Sequence, residues 1–151
     1  MLAEVLAAVA VVAIGLSALA SAIPVAGAAV SEGARLSTAT FLAGARLEEI
    51  RAAAWSATPP ADRLGVSGAP LSPPQSGGAT TFADEMALPD PYVGYSRQVR
   101  ILDCGLPPGC GTVMSARLRQ VTVTVAYRPV TASGVAALDK TVSVTTLVAQ
   151  R

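Results

Sequence analysis

MLAEVLAAVAVVAIGLSALASAIPVAGAAV, residues 1–30, sets a single carboxylate, Glu4, at the head of an otherwise uncharged apolar run. From Val5 to Val30 there are 26 consecutive residues without a charge. At about 1.5 Å per residue that is roughly 39 Å of helix, more than the ~30 Å hydrocarbon core of a bilayer requires. A charged side chain at the centre of a spanning helix costs on the order of 2.5–3.5 kcal/mol on insertion scales, and less near the interface. Insertion alone therefore gives no reason for an acid here. Glu4 either acts on something or sits where it costs little, solvated among headgroups.

A secretory signal would open with positive charge, continue through a shorter apolar core and end at a small-residue cleavage site. No Lys or Arg precedes this run, the run is too long, and Glu4 stands where the positive charge belongs. The alanines around Ala20–Ala22 could imitate a cleavage site, but the architecture reads as a retained helix.

The apolar run passes without a turn signal into ARLSTATFLAGARLEEIRAAAW, residues 34–55. Leu36, Thr40, Ala43, Leu47, Ile50 and Ala54 recur at alternating four- and three-residue spacings, one face of a helix. Arg46, Glu48, Glu49 and Arg51 lie largely off that stripe. Joined, the two halves make one helix from about residue 2 to about 55, on the order of 80 Å long. Pro24 lies inside it, where a missing N–H is expected to kink the helix or melt the preceding turn.

Residues 56–94 hold seven prolines among many Gly, Ser and Thr, and show no helical or alternating period. They read as a long irregular surface loop of the same domain. The last third is β. Tyr95, Arg97, Val99 and Ile101 alternate with their neighbours and run into Cys104. In 116–128, Val121, Val123, Val125 and Tyr127 face one way and Gln120, Thr122 and Thr124 the other. In 140–149, Val142, Val144 and Val148 oppose Ser143 and Thr145. β-Branched alternation of this length signals strands, and the connection 129–139 suits a hairpin. A three-stranded antiparallel sheet with one apolar face needs a second layer, which the amphipathic half of the helix supplies. The expected fold is α+β: 1–30 a hydrophobic transmembrane or filament-core helix, 31–55 its amphipathic continuation, and 56–151 the loop and sheet that form a globular domain with 31–55.

Composition narrows the chemistry. The 151 residues suffice for one domain, and the charge of +1 with a single lysine, Lys140, offers no basic stripe for nucleic acid. There is no histidine, so Ser-His-Asp and Cys-His hydrolases and His-ligated zinc are excluded. No catalytic constellation is visible, and no cofactor is expected. Asp84, Glu85 and Asp90 cluster near a proline-rich turn. They read as a solvated loop, since the spacing of a calcium loop is absent and no metal site is expected. Cys104 and Cys110, separated by GLPPG, read as a disulfide in an exported chain, worth about 2 kcal/mol on the chain-entropy model.

The early glutamate in LAEVLAAVAVVAIGL at 2–16, the amphipathic ARLEEIRAAAW at 45–55, and VTVTVAY with TVSVTTLVAQR at 121–151 together resemble a type IV pilin-like protein, of the minor pilin or pseudopilin branch. The likeness covers the helix and the C-terminal strands and is weak over 56–94. In that family the glutamate is the fifth mature residue, whereas here it is Glu4, and the basic leader cut by prepilin peptidase is not seen. The simplest account is a chain that begins one residue inside the mature protein, with Met1 at the family's second position. The alternative is an unprocessed chain that cannot be cut, whose assembly would then be in doubt. The resemblance implies a structural subunit of a type IV pilus or type II secretion filament. Before assembly it would be held once across the bacterial inner membrane with its domain in the periplasm. Its partners would be other pilin or pseudopilin subunits through the N-terminal helix, inner-membrane lipids and, if an upstream leader exists, prepilin peptidase. Glu4 would meet the terminal amine of an adjacent subunit and set axial register, a role attested for buried polar groups. The other reading is a single-pass tethered periplasmic binding module that forms no filament.

Overall fold

The structure is a computed structural model and describes residues 2–53, 55, 62–129 and 138–150. The helix α1 runs Leu2–Ala52 without a break. Alanine and leucine carry its helix propensity. Pro24 lies inside it, and the preceding turn is helical rather than melted. The expected end near residue 55 and the stripe residue Ala54 meet a helix that closes at Ala52, with Ala54 outside the described residues.

Two antiparallel sheets follow. The larger has the order β4-β5-β6, formed by β4 (Tyr95–Asp103), β5 (Leu118–Tyr127) and β6 (Lys140–Ala149). Its rungs include Tyr95 with Tyr127, Val99 with Val123, and Tyr127 with Lys140. β5 is the centre strand, and its burial alternates at every residue as its period-two pattern requires. The stretch 56–94, expected to be irregular, holds a second sheet: β1 (Val66–Ser67), β2 (Pro74–Ser76) and β3 (Ala79–Thr80). Two- and three-residue strands are too short to print a period, which is why prolines and glycines dominate the reading there. Gly65, at φ +69°, is one of the positions that needs glycine: a Cβ would stand 2.8 Å from the Gln75 carbonyl oxygen.

The core lies between α1 and the larger sheet: Ala39, Leu42, Ala43, Leu47 and Ile50 against Val99, Ile101, Val121, Val123 and Val125. Leu64, Phe82 and Leu88 close it from the side of the small sheet. The seam therefore differs from the expected stripe. Ala43, Leu47 and Ile50 are buried, but Leu36 and Thr40 are exposed and Ala39 and Leu42 take their place. Small Ala39 and Ala43 let the strands approach closely; Leu36 lies to one side.

Arg46, expected on the solvated face, is mostly covered. Its guanidinium lies 5.2 Å from the Phe82 ring centroid and pairs with Glu49 at 2.6 Å. Arg119 occupies the inward row of β5, one step from Val121. It donates to Asp62 at 2.7 Å and stacks on Trp55 at 4.6 Å. Asp62 also accepts the backbone N–H groups of Leu64 and Gly65. Both members of this pair are less than a tenth exposed. Removing one partner of a buried pair leaves the other charge uncompensated, which costs about 3–5 kcal/mol. Asp62→Ala should lower the stability of the domain by that amount in chemical denaturation, whereas Arg63→Ala, its neighbour in sequence, should be near neutral.

Candidate functional site

The feature that stands out on the folded chain is the first half of α1. An 18-residue window within it has mean hydropathy 2.4 and none of it is buried. Leu2, Leu6, Val9, Ile14, Leu16, Leu19 and Ile23 are all more than half exposed. A core helix of a globular protein would be covered by its own domain, and this one is not. It is long and apolar enough to cross a membrane. An exposed apolar surface of this extent marks a membrane or protein contact. Glu4 lies in its first turn and is exposed. Carboxylates are favoured at that end by the helix dipole. The expected place of Met1 in the family's second position lies outside the described residues.

Where the apolar run stops, polar ties begin. Glu32 accepts hydrogen bonds from the Tyr127 hydroxyl at 3.1 Å and from Lys140 Nζ at 2.7 Å. Arg35 donates to the Arg128 carbonyl at 2.6 Å, and the Tyr95 hydroxyl donates to the Arg35 carbonyl at 3.4 Å. The rings of Tyr95 and Tyr127 lie 5.8 Å apart. One rung of the sheet is thus fixed to helix residues 32–35. Farther along, Arg97 reaches the Leu42 carbonyl and Arg51 the Thr146 hydroxyl. Helix and sheet run side by side, with the Tyr95–Tyr127–Lys140 rung nearest the apolar half.

Two of the three acidic residues of the cluster, Asp84 and Glu85, are engaged by arginines, while Asp90 is exposed. Asp84 takes a two-pronged contact from Arg100, at 2.6 and 2.8 Å. Glu85 pairs with Arg97 at 2.6 Å. Hydrogen bonding from Arg97 holds the Glu85 carboxyl below its ordinary value, against the opposing effect of burial. Asp84 and Glu85 thus form part-buried ion pairs where a solvated loop was expected, Asp90 is solvated as expected, and among the described residues no three Cys, Asp or Glu side chains gather as a metal site. Cys104 and Cys110 form a disulfide at the opposite end of the sheet, closing the start of the β4–β5 connection. Cys110 also exchanges backbone hydrogen bonds with Val113, at 2.9 and 3.2 Å.

In comparisons with known proteins, no family model, no curated protein and no solved structure matches this chain.

Sequence reasoning missed the Glu32–Tyr127–Lys140 tie, whose members are up to 108 residues apart. The one available signal was a lone lysine at the start of β6 and a lone acid at the end of the apolar run. Burial first, then the bond to Glu32, raises the Tyr127 phenol above its ordinary value; the bond to Glu32 likewise raises Lys140. A raised value in the folded state means that the tie stabilises fully below the unfolded value and is lost as pH rises through the folded one. In an ultraviolet titration a phenol step should therefore appear above the ordinary tyrosine range. Tyr127→Phe should remove it.

Proposed function

We propose that this chain is a structural subunit of a pilus-like or secretion filament, a minor pilin or pseudopilin. It would be stored once across a bacterial inner membrane with its domain in the periplasm. The single observation that carries the reading is the continuity of α1. One unbroken helix has a fully exposed apolar first half headed by a lone acid, and a second half packed on an antiparallel sheet. A plain tether needs neither the acid nor a rigid join. A linker of the usual kind would let the domain move freely, whereas here helix residues 32–51 are tied to the sheet along its length.

The exposed residues of the upper helix support the same reading. Leu36 and Phe41 are both at least half exposed on the sides turned from the sheet. Together with the apolar half they offer a long surface for neighbouring helices. In a bundle of such helices a carboxylate is costly until it meets a positive charge. The terminal amine of an adjacent subunit would supply that charge to Glu4, so the pair would set the axial step between subunits. If a leader precedes this sequence, prepilin peptidase would be a further partner.

Glu4→Ala makes the segment more apolar, so membrane levels should be unchanged or higher. Within a filament the same change leaves the neighbour's amine without its counter-charge, at about 3–5 kcal/mol, enough to depress incorporation strongly. Fractionation together with shearing of surface filaments reads both quantities. Normal membrane levels with lost incorporation support a register role. Incorporation equal to that of the unaltered chain, or no chain in the sheared fraction at all, passes the argument to the tethered binding module.

A further inference from the structure

We infer that the end of the domain nearest the apolar helix is itself a membrane-docking surface, seated on the zwitterionic headgroup layer while the subunit is stored in the bilayer. The inference rests on the membrane-spanning part of the reading above and not on the filament part.

Three observations place that surface. The first is depth. The uncharged run of 26 residues is roughly 39 Å long as helix, close to the ~40–45 Å of a bilayer with its headgroups. Glu32 and Arg35, which hold the Tyr127 and Tyr95 rung, therefore come at headgroup level.

The second is topology. Leu88 and Glu85 pair by backbone hydrogen bonds with Tyr95 and Arg97, so residues 89–94 form a turn beyond the Tyr95 rung. β4 runs from Tyr95 near helix residue 35 to Arg97 near Leu42, away from the apolar half. The 89–94 turn therefore projects toward the bilayer, as do Pro129 and Leu138, which continue β5 and precede β6 past the Tyr127–Lys140 rung.

The third is chemistry. Tyr92 and Tyr95 are part-exposed at this end, whereas Tyr127 is buried beneath them with its hydroxyl on Glu32. Tyrosine is enriched where a ring can sit in apolar material with its hydroxyl in the polar layer. Beside them Val93 and Leu138 are 72% and 85% exposed. Such side chains are poorly placed against water and well placed at a lipid interface. The charges here balance: Arg35, Arg128 and Lys140 against Glu32, Asp90 and Asp139. The driving force is thus apolar and aromatic, with no demand for anionic lipid.

The full-length chain in phosphatidylcholine nanodiscs tests this with single fluorescent labels at Leu16→Cys, Val93→Cys, Leu138→Cys and Leu106→Cys, the native cysteines being joined to one another. Leu106, exposed within the disulfide loop, reports the far end of the domain. Lipid carrying a quencher at the headgroup should quench Val93 and Leu138 several-fold more than Leu106, and lipid quenched in the acyl chain should quench Leu16. Fully burying a side chain of this size shifts a partition equilibrium by roughly tenfold or more, so Leu138→Asp should return the label at Val93→Cys toward the Leu106 level. Because both sites are exposed, unchanged protection of the core amides in that variant separates loss of docking from loss of fold. Quenching at Leu16 without excess quenching at Val93 and Leu138 overturns the docking surface and leaves the span intact. Absence of acyl-chain quenching at Leu16 overturns the span, and the docking surface with it.

Discussion

A single helix must satisfy two surroundings, and everything else in the molecule follows from where one gives way to the other. From Ala39 to Ile50 the helix buries a face against β5 and β6. Before Ala28 every described residue is exposed. Between them lies a short polar collar, Glu32 and Arg35, held by Tyr127, Lys140 and the Arg128 carbonyl. Because the helix is continuous, its apolar half cannot fold back to be covered by its own domain. It must be covered by lipid or by other chains, and the rigid join transmits the orientation of one half to the other.

The domain itself is built from little. Aromatics make up 4% of the chain, so the core is mainly Val, Leu, Ile and Ala, and its margins are closed by arginines. Arg119 caps the core at one end, stacked on Trp55 and paired with Asp62. Arg97 and Arg46 close the flank facing Glu85 and Phe82. Long aliphatic stems cover apolar surface while the charged heads find carboxylates. The disulfide then fastens the end of the sheet that lies farthest from the collar. The end far from the apolar helix thus has a covalent link beside the buried Arg119–Asp62 pair, whereas the end beside that helix is held by polar contacts.

The larger sheet was legible because period-two alternation runs the full ten residues of β5 and most of β6, with a shorter alternation around Val99 and Ile101 in β4. The small sheet was not, because strands as short as Val66–Ser67 carry no period and their pairing is set by Gly65 and by contacts with β4. The helix seam was legible from Ala43 onward and misplaced before it. Alanine serves on either face, so Ala39 gave no warning that it, and not Leu36, meets the sheet. Charged residues mislead in the opposite direction. Arg46 and Arg119 look solvated until Phe82, Trp55 and Asp62 are brought beside them from elsewhere in the chain. Glu4 was visible at once as a charge out of place, whereas the polar collar depends on contacts some 95 residues apart that no local pattern encodes.

The central claim is that the apolar half of α1 is covered, in the working state, by the helices of neighbouring subunits. Thiol crosslinking from Leu16→Cys in the sheared filament fraction tests it most directly, since the position is exposed and the native cysteines are already joined. The expected result is a crosslinked adduct of this chain with a second subunit in that fraction, dependent on assembly and absent from the membrane-stored pool. A chain that stays monomeric under crosslinking in every fraction, or is found in the membrane alone, would contradict the claim.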